Sequence, residues 1–128
     1  VEVINAQKPD VVAITGDFVT NQPEKWEDDL VSALQNLEPR EVSVAVLGNH
    51  DHWTDGRVIR RVLRRSGIVD VCNAVHTLRR GDEEFHLCGV DDFWERKADL
   101  NRVLESLPKT GAAMLLAHEP DFADLSSK

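Results

Sequence analysis

The sequence is short of cysteine, of positive charge and of long apolar runs, and each shortage removes a class of protein. Cys72 and Cys88 are the only cysteines in 128 residues. Two are too few for a disulfide framework, and their spacing matches no zinc knuckle. Half-buried free thiols in a cytoplasmic protein are expected in preference to a redox pair. Fifteen Lys and Arg stand against 23 Asp and Glu, for a net charge of -8. Nucleic acid and anionic membrane surfaces would repel such a chain as a whole, so neither is the default partner. No stretch approaches the roughly 20 apolar residues of a membrane span, and the opening residues lack the charged region and apolar core of a signal peptide.

Internal repeats, low-complexity tracts and linkers are also absent. With 41% hydrophobic and 30% charged residues, the chain has the composition of one globular domain with a single core, so one site is sought. The single methionine is Met114, and the opening VEVINAQKPD reads as the tail of a helix running into a Pro-Asp loop. The chain is therefore expected to be a segment of something longer.

What is present has a regular rhythm. VVAIT (Val11 to Thr15) is a short β-branched run closed by Gly16, the pattern of a fully buried strand. From Pro23 to Leu37, Trp26, Leu30, Leu34 and Leu37 recur at helical spacing. VSVAVL (Val42 to Leu47) is a second buried strand, and Val58, Ile59, Val62 and Leu63 mark a helix stopped by Gly67. Strand, helix, strand, helix predicts an α/β fold with a mixed, largely parallel sheet and crossover helices. VDVCNAVHTLRR and EFHLCGV, joined by Gly81-Asp82-Glu83, predict a hairpin. Leu100, Val103, Leu104 and Leu107 give a third helix ending at Pro108, and AAMLLA (Ala112 to Ala117) a final buried strand.

Three of these strands run into polar loops: Gly16-Asp17, Gly48-Asn49-His50-Asp51 and His118-Glu119. In an open α/β sheet the carboxyl ends of parallel strands share one crevice. Asp17, Asn49, His50 and His118 are therefore candidates for one site. A carboxylate, an amide oxygen and imidazoles form a mixed donor set suited to Mn, Fe or Zn.

Gly-Asp, Gly-Asn-His-Asp and a strand-terminal His, in that order, resemble the motifs of the calcineurin-like metallophosphoesterase family. ITGD (Ile14 to Asp17), LGNHD (Leu47 to Asp51) and LLAHEPD (Leu115 to Asp121) carry the likeness, and GVDDF (Gly89 to Phe93) is similar to the bacterial phosphodiesterase-type branch. The resemblance implies an αββα sandwich and hydrolysis of phosphomonoesters or phosphodiesters, as small molecules or lipids, by hydroxide held between two divalent metal ions. It implies that Asp17 bridges the metals, that Asn49 and His118 hold the second metal, and that His50 is the acid. Asn49 would supply a neutral oxygen ligand, and His50 a proton near physiological pH.

The family's Asp-x-His and Gly-His-x-His motifs are absent from this sequence. Residues 1–128 are accordingly expected to form one incomplete domain that binds at most one ion and is inactive alone, within a parent protein that is the enzyme. Thr20 stands where many members carry an aspartate behind the leaving-group histidine, and it cannot stabilise an imidazolium electrostatically. The rival reading is a non-catalytic binding scaffold with a vestigial metal site.

Other residues have plainer expectations. Asp51 is expected to fix its loop by accepting backbone amides, His52 and Trp53 to rim the pocket, and His76 and His86 to be ordinary. Arg57, Arg60, Arg61, Arg64 and Arg65 form a basic stripe, expected as a solvated face, with lipid head groups or a phosphate-bearing substrate as its other partners. Exposed sheet edges are expected to promote homo-oligomers.

Overall fold

The computed structural model describes residues 1–20 and 26–127. In chain order the elements are α1 (Glu2–Ala6), β1 (Val11–Ile14), α2 (Trp26–Leu34), β2 (Val42–Ala45), α3 (Asn49–Thr54) and α4 (Gly56–Arg65). They continue with β3 (Val69–Asp70), β4 (Ala74–Arg80), β5 (Glu83–Gly89), α5 (Leu100–Ser106), β6 (Ala112–Leu116), a 3-10 turn at Pro120–Phe122 and α6 (Ala123–Ser126). The first turn expected at Pro23 lies outside the described residues.

The strands form two three-stranded sheets rather than one. The first has the order β1-β2-β3, all parallel; in the second, β4-β5-β6, the β4–β5 pair is antiparallel and the β5–β6 pair parallel. Pairing is thus largely parallel, as expected, and the Gly81 hairpin joins β4 to β5.

Alternation along β2 explains the layering. Ala45, with Leu47 just beyond the strand, packs against Ile59 and Leu63 of α4 and against Leu30 and Leu34 of α2. Val44 and Val46 face the other way and meet Leu87 of β5 and Leu116 of β6. On the far side of the second sheet, Cys88 and Val90 pack against Val103 of α5 and Phe122. Helix, sheet, sheet and helix therefore stack in four layers. The central seam of β-branched and leucine side chains is what holds the two sheets together.

The long extended segment expected from Val69 breaks into β3 and β4, which belong to different sheets. The corner is Asn73, whose φ of 52° is in the left-handed region that asparagine tolerates. Its Oδ1 accepts N–H groups of Asp91 and Asp99, and its Nδ2 donates to the Lys97 carbonyl at 2.8 Å.

Two strands expected to be fully buried are not. Only Val12 of β1 is buried, and Ala112, Ala113 and Met114 of β6 are exposed. Each is the edge of its sheet, so one flank of each meets solvent.

Candidate metal centre

The β1 and β2 strands end side by side, and their loops are locked together by one side chain. Asp51, in the first turn of α3, is fully buried. Its Oδ2 accepts N–H groups of Asp17 at 2.8 Å and Gly48 at 2.9 Å, and its Oδ1 accepts that of Phe18 at 2.8 Å. Burial pushes the Asp51 carboxyl above its ordinary range, while the three N–H groups pull the other way. The expected role of Asp51 as a loop anchor is what the geometry displays.

The Gly48-Asn49-His50-Asp51 stretch expected as a polar loop instead opens the short helix α3, so Asn49 and His50 project from a first turn. Asp17 itself has φ 57°, strain of the kind that clusters at functional sites. Gly48 is needed for space. Its φ of -107° suits any residue, but an added Cβ would come within 2.7 Å of His118 Cε1 and closer still to the Asp17 carboxylate.

His118, just beyond β6, brings the second sheet to the same place. Its Nδ1–H donates to the Thr15 carbonyl at 2.6 Å. With Nδ1 the donor, Nε2 is the nitrogen that a neutral ring would offer to a metal, the arrangement second partners impose on metal-binding histidines. Nε2 lies 3.2 Å from Asn49 Oδ1 and 3.5 Å from Asp17 Oδ1. Asn49 Oδ1 and Asp17 Oδ1 thus converge on His118 Nε2. Atoms bound at about 2.1 Å to one ion sit about 3.0–3.4 Å apart, depending on coordination geometry. Asp17, Asn49 and His118 therefore fit a divalent cation. Among the described residues no cluster of three His, Cys, Asp or Glu side chains is arranged for metal; here the third donor is an amide.

His50 lies alongside rather than among them. Its backbone N–H donates to Asp17 Oδ1 at 3.2 Å, and its ring is 4.8 Å from that of Trp53. Thr20 is exposed, and among the described residues no hydrogen bond joins it to His50.

A family profile described as calcineurin-like phosphoesterase matches residues 1–123. The chain belongs to that family. It is 30% identical over 124 residues to an uncharacterized metallophosphoesterase, YkuE, of Bacillus subtilis, covering 94% of this chain and 43% of the relative. Phosphodiesterase YaeI of Escherichia coli is 28% identical over 126 residues, covering 93% and 44%. A transmembrane protein with metallophosphoesterase domain from Danio rerio is 30% identical over 134 residues, covering 96% and 30%. The chain spans less than half the length of each of these relatives. No solved structure matches.

Sequence reasoning did not find the structural roles of three residues near this candidate centre. Glu119 is buried, and its carboxylate accepts N–H groups of Phe93 at 3.1 Å and Trp94 at 3.3 Å. The neighbouring Asp92 has one oxygen without a donor; burial, then the hydrogen bond to Glu119, raises its pKa to about 6. Burial alone would raise Glu119 as well, but the Asp92 hydrogen bond and the two N–H groups hold it below its usual range. The third is His52, whose Nε2 meets Asp91 Oδ1 at 2.7 Å while Arg60 takes Asp91 Oδ2 at 2.7 Å and also pairs with Asp70. The His52 side chain is largely buried and braces Asp91 while lining a pocket with Arg60 and Glu95. Paired Asp and Glu turn residues after strand ends were the only signal available for these roles.

The arginine stripe is largely neutralised within the chain. Arg57 pairs with Asp55, Arg60 with Asp70 and Asp91, Arg61 with Glu27 and Arg65 with Asp28. His86 is held between Thr77 Oγ1 and the Thr110 carbonyl, a structural role. Cys72 and Cys88 are free thiols. No helix of the described residues is long and apolar enough to cross a membrane.

Proposed function

We propose that the protein of which these residues form part is a hydrolase of phosphomonoesters or phosphodiesters that depends on divalent metal. Asp17, Asn49 and His118 hold an ion, Mn, Fe or Zn by their donor chemistry, and this chain binds at most one. The convergence of Asn49 Oδ1 and Asp17 Oδ1 on His118 Nε2, at separations near those of atoms sharing one ion, carries the reading. A bound divalent ion supplies Lewis-acid charge for phosphoryl oxygens and lowers the pKa of water. Thr15 and Asp51 keep the donors in place. His50, beside the donors, gives a proton to the departing alcohol. The phosphodiesterase name of the Escherichia coli relative favours diesters as substrates, and thiols at Cys72 and Cys88 suit a cytoplasmic setting.

Calorimetric titration with Mn²⁺ and Zn²⁺ tests the site. About one ion should bind, and Asp17→Ala and His118→Ala should each abolish it. Binding that survives both substitutions places the ion elsewhere. Missing Asp-x-His and Gly-His-x-His motifs favour a second reading, a binding scaffold with a vestigial site. The full-length protein would then bind metal without hydrolysing bis-p-nitrophenyl phosphate.

A further inference from the structure

The aromatic residues near the candidate centre are placed against the usual economy of a fold. Trp53 and Trp94 are each 62% exposed and Phe93 is 37% exposed, although rings of this size stabilise a core when buried. Their exposure is not looseness. Trp53 Nε1–H donates to Glu95 Oε1 at 2.8 Å, which satisfies the one polar atom of the indole and ties α3 to the segment after β5. That segment is itself pinned: the Phe93 and Trp94 N–H groups donate to buried Glu119, and the Glu95 N–H donates to Asp92 Oδ1 at 2.7 Å. The Phe93 ring meets Phe122 edge-on at 5.7 Å. The indole of Trp53 is thus held rigid and left facing water, with its ring 4.8 Å from that of His50 at an angle of 48°.

Position gives this ring a role. A group that protonates the departing oxygen must touch it, so whatever is bonded to that oxygen lies within a few ångströms of His50. Trp53 occupies that neighbourhood. We propose that Trp53 forms the leaving-group subsite and selects phosphoesters whose leaving group presents a planar aromatic ring. The inference rests on the phosphoesterase reading and deepens it by naming the chemistry on the departing side. An indole face gives a planar ring stacking that a methyl group cannot share, and its fixed orientation means that little side-chain entropy is lost on binding.

The test uses non-hydrolysable probes on the full-length, Mn²⁺-loaded protein. Phenylphosphonate and methylphosphonate carry the same charged head and differ in the ring. Calorimetry should show phenylphosphonate bound more tightly, with quenching of tryptophan fluorescence. Trp53→Ala should weaken phenylphosphonate by about tenfold and leave methylphosphonate unchanged, while Trp53→Phe retains most of the preference. Because Trp53 is exposed, these substitutions leave the core filled, and unchanged far-ultraviolet circular dichroism checks that. Equal losses for both probes, or no loss, overturn the subsite. Quenching of Trp53 by brominated phosphatidylcholine vesicles, with no preference for the phenyl probe, overturns it in favour of a lipid surface. Metal-dependent binding of both probes with equal affinity sinks this inference alone. Absence of metal-dependent binding by either probe sinks the phosphoesterase reading and this inference with it.

Discussion

Asp51 is one carboxylate shared among three backbone N–H groups from the two loops that carry Asp17 and Asn49. In Asp51→Ala those groups lose their acceptor, one of them buried and two half-buried, at about 1–3 kcal/mol for each that water cannot reach. The urea midpoint should fall by the equivalent of about 3 kcal/mol or more, and Mn²⁺ binding should go with it. A variant that keeps its midpoint would show that the loops are held otherwise. Gly48→Ala separates space from stability, since a Cβ there would press on His118 and Asp17. Metal affinity should collapse while the urea midpoint moves much less, because the ring and carboxylate can swing toward solvent. At this scale the candidate donors were legible as polar residues closing apolar strands. The need for Gly48 was not, because the crowding arises from His118, 70 positions away in sequence and on the other sheet.

Pairs of elements are joined by buried charged groups that no periodicity reveals. Arg60 turns inward from α4 to reach Asp70 at the end of β3 and Asp91 beyond β5, where His52 of α3 also meets Asp91. Its side chain is 33% exposed, so solvent screens part of the attraction. Arg60→Ala should cost about 1–2 kcal/mol in urea denaturation, whereas Arg57→Ala, on the same helix but pointing outward, should leave the melting temperature unchanged. Equal effects would mean that the inward network holds nothing together. The sequence displays all five arginines as one stripe; which of them faces inward is decided by acidic residues on other elements.

Asp92 and Glu119 join the ends of β5 and β6 in the same way, and they carry a pH signature. Asp92 has a folded pKa of about 6 against an ordinary 3.8. Its protonated form is favoured by folding, so its contribution is complete below about pH 3.8 and is lost as pH rises through about 6. Glu119 is shifted downward and contributes in the opposite sense, above its ordinary 4.5. Asp92→Asn keeps a donor toward Glu119 without the late ionisation. In metal-free buffer it should raise the melting temperature at pH 8 and leave it unchanged at pH 4, as read by circular dichroism. An equal shift at both pH values would locate the effect in packing instead.

Across the molecule, the order of the strands and of the longer helices was readable from apolar runs, but the short helices α3 and α6 and the division into two sheets were not. A parallel strand and an antiparallel strand look alike in sequence, and the switch between sheets rests on the left-handed backbone of Asn73. The same division leaves β1 and β6 as edges. VVAI and AAMLL contain neither charge nor proline, the features by which edges usually discourage pairing, and Ala13, Ala112, Ala113 and Met114 are exposed along them. Two copies of this chain should therefore pair edge to edge. Light scattering over a wide concentration range should show mass rising with concentration. Ala13→Lys and Ala113→Lys, which place one charge on each edge without touching the seam of Val44, Val46, Leu87 and Leu116, should restore a monomer. A wild-type chain that stays monomeric throughout would mean that its edges are protected by twist or shortness alone. Persistence of the larger species in the double variant would place the contact on another surface.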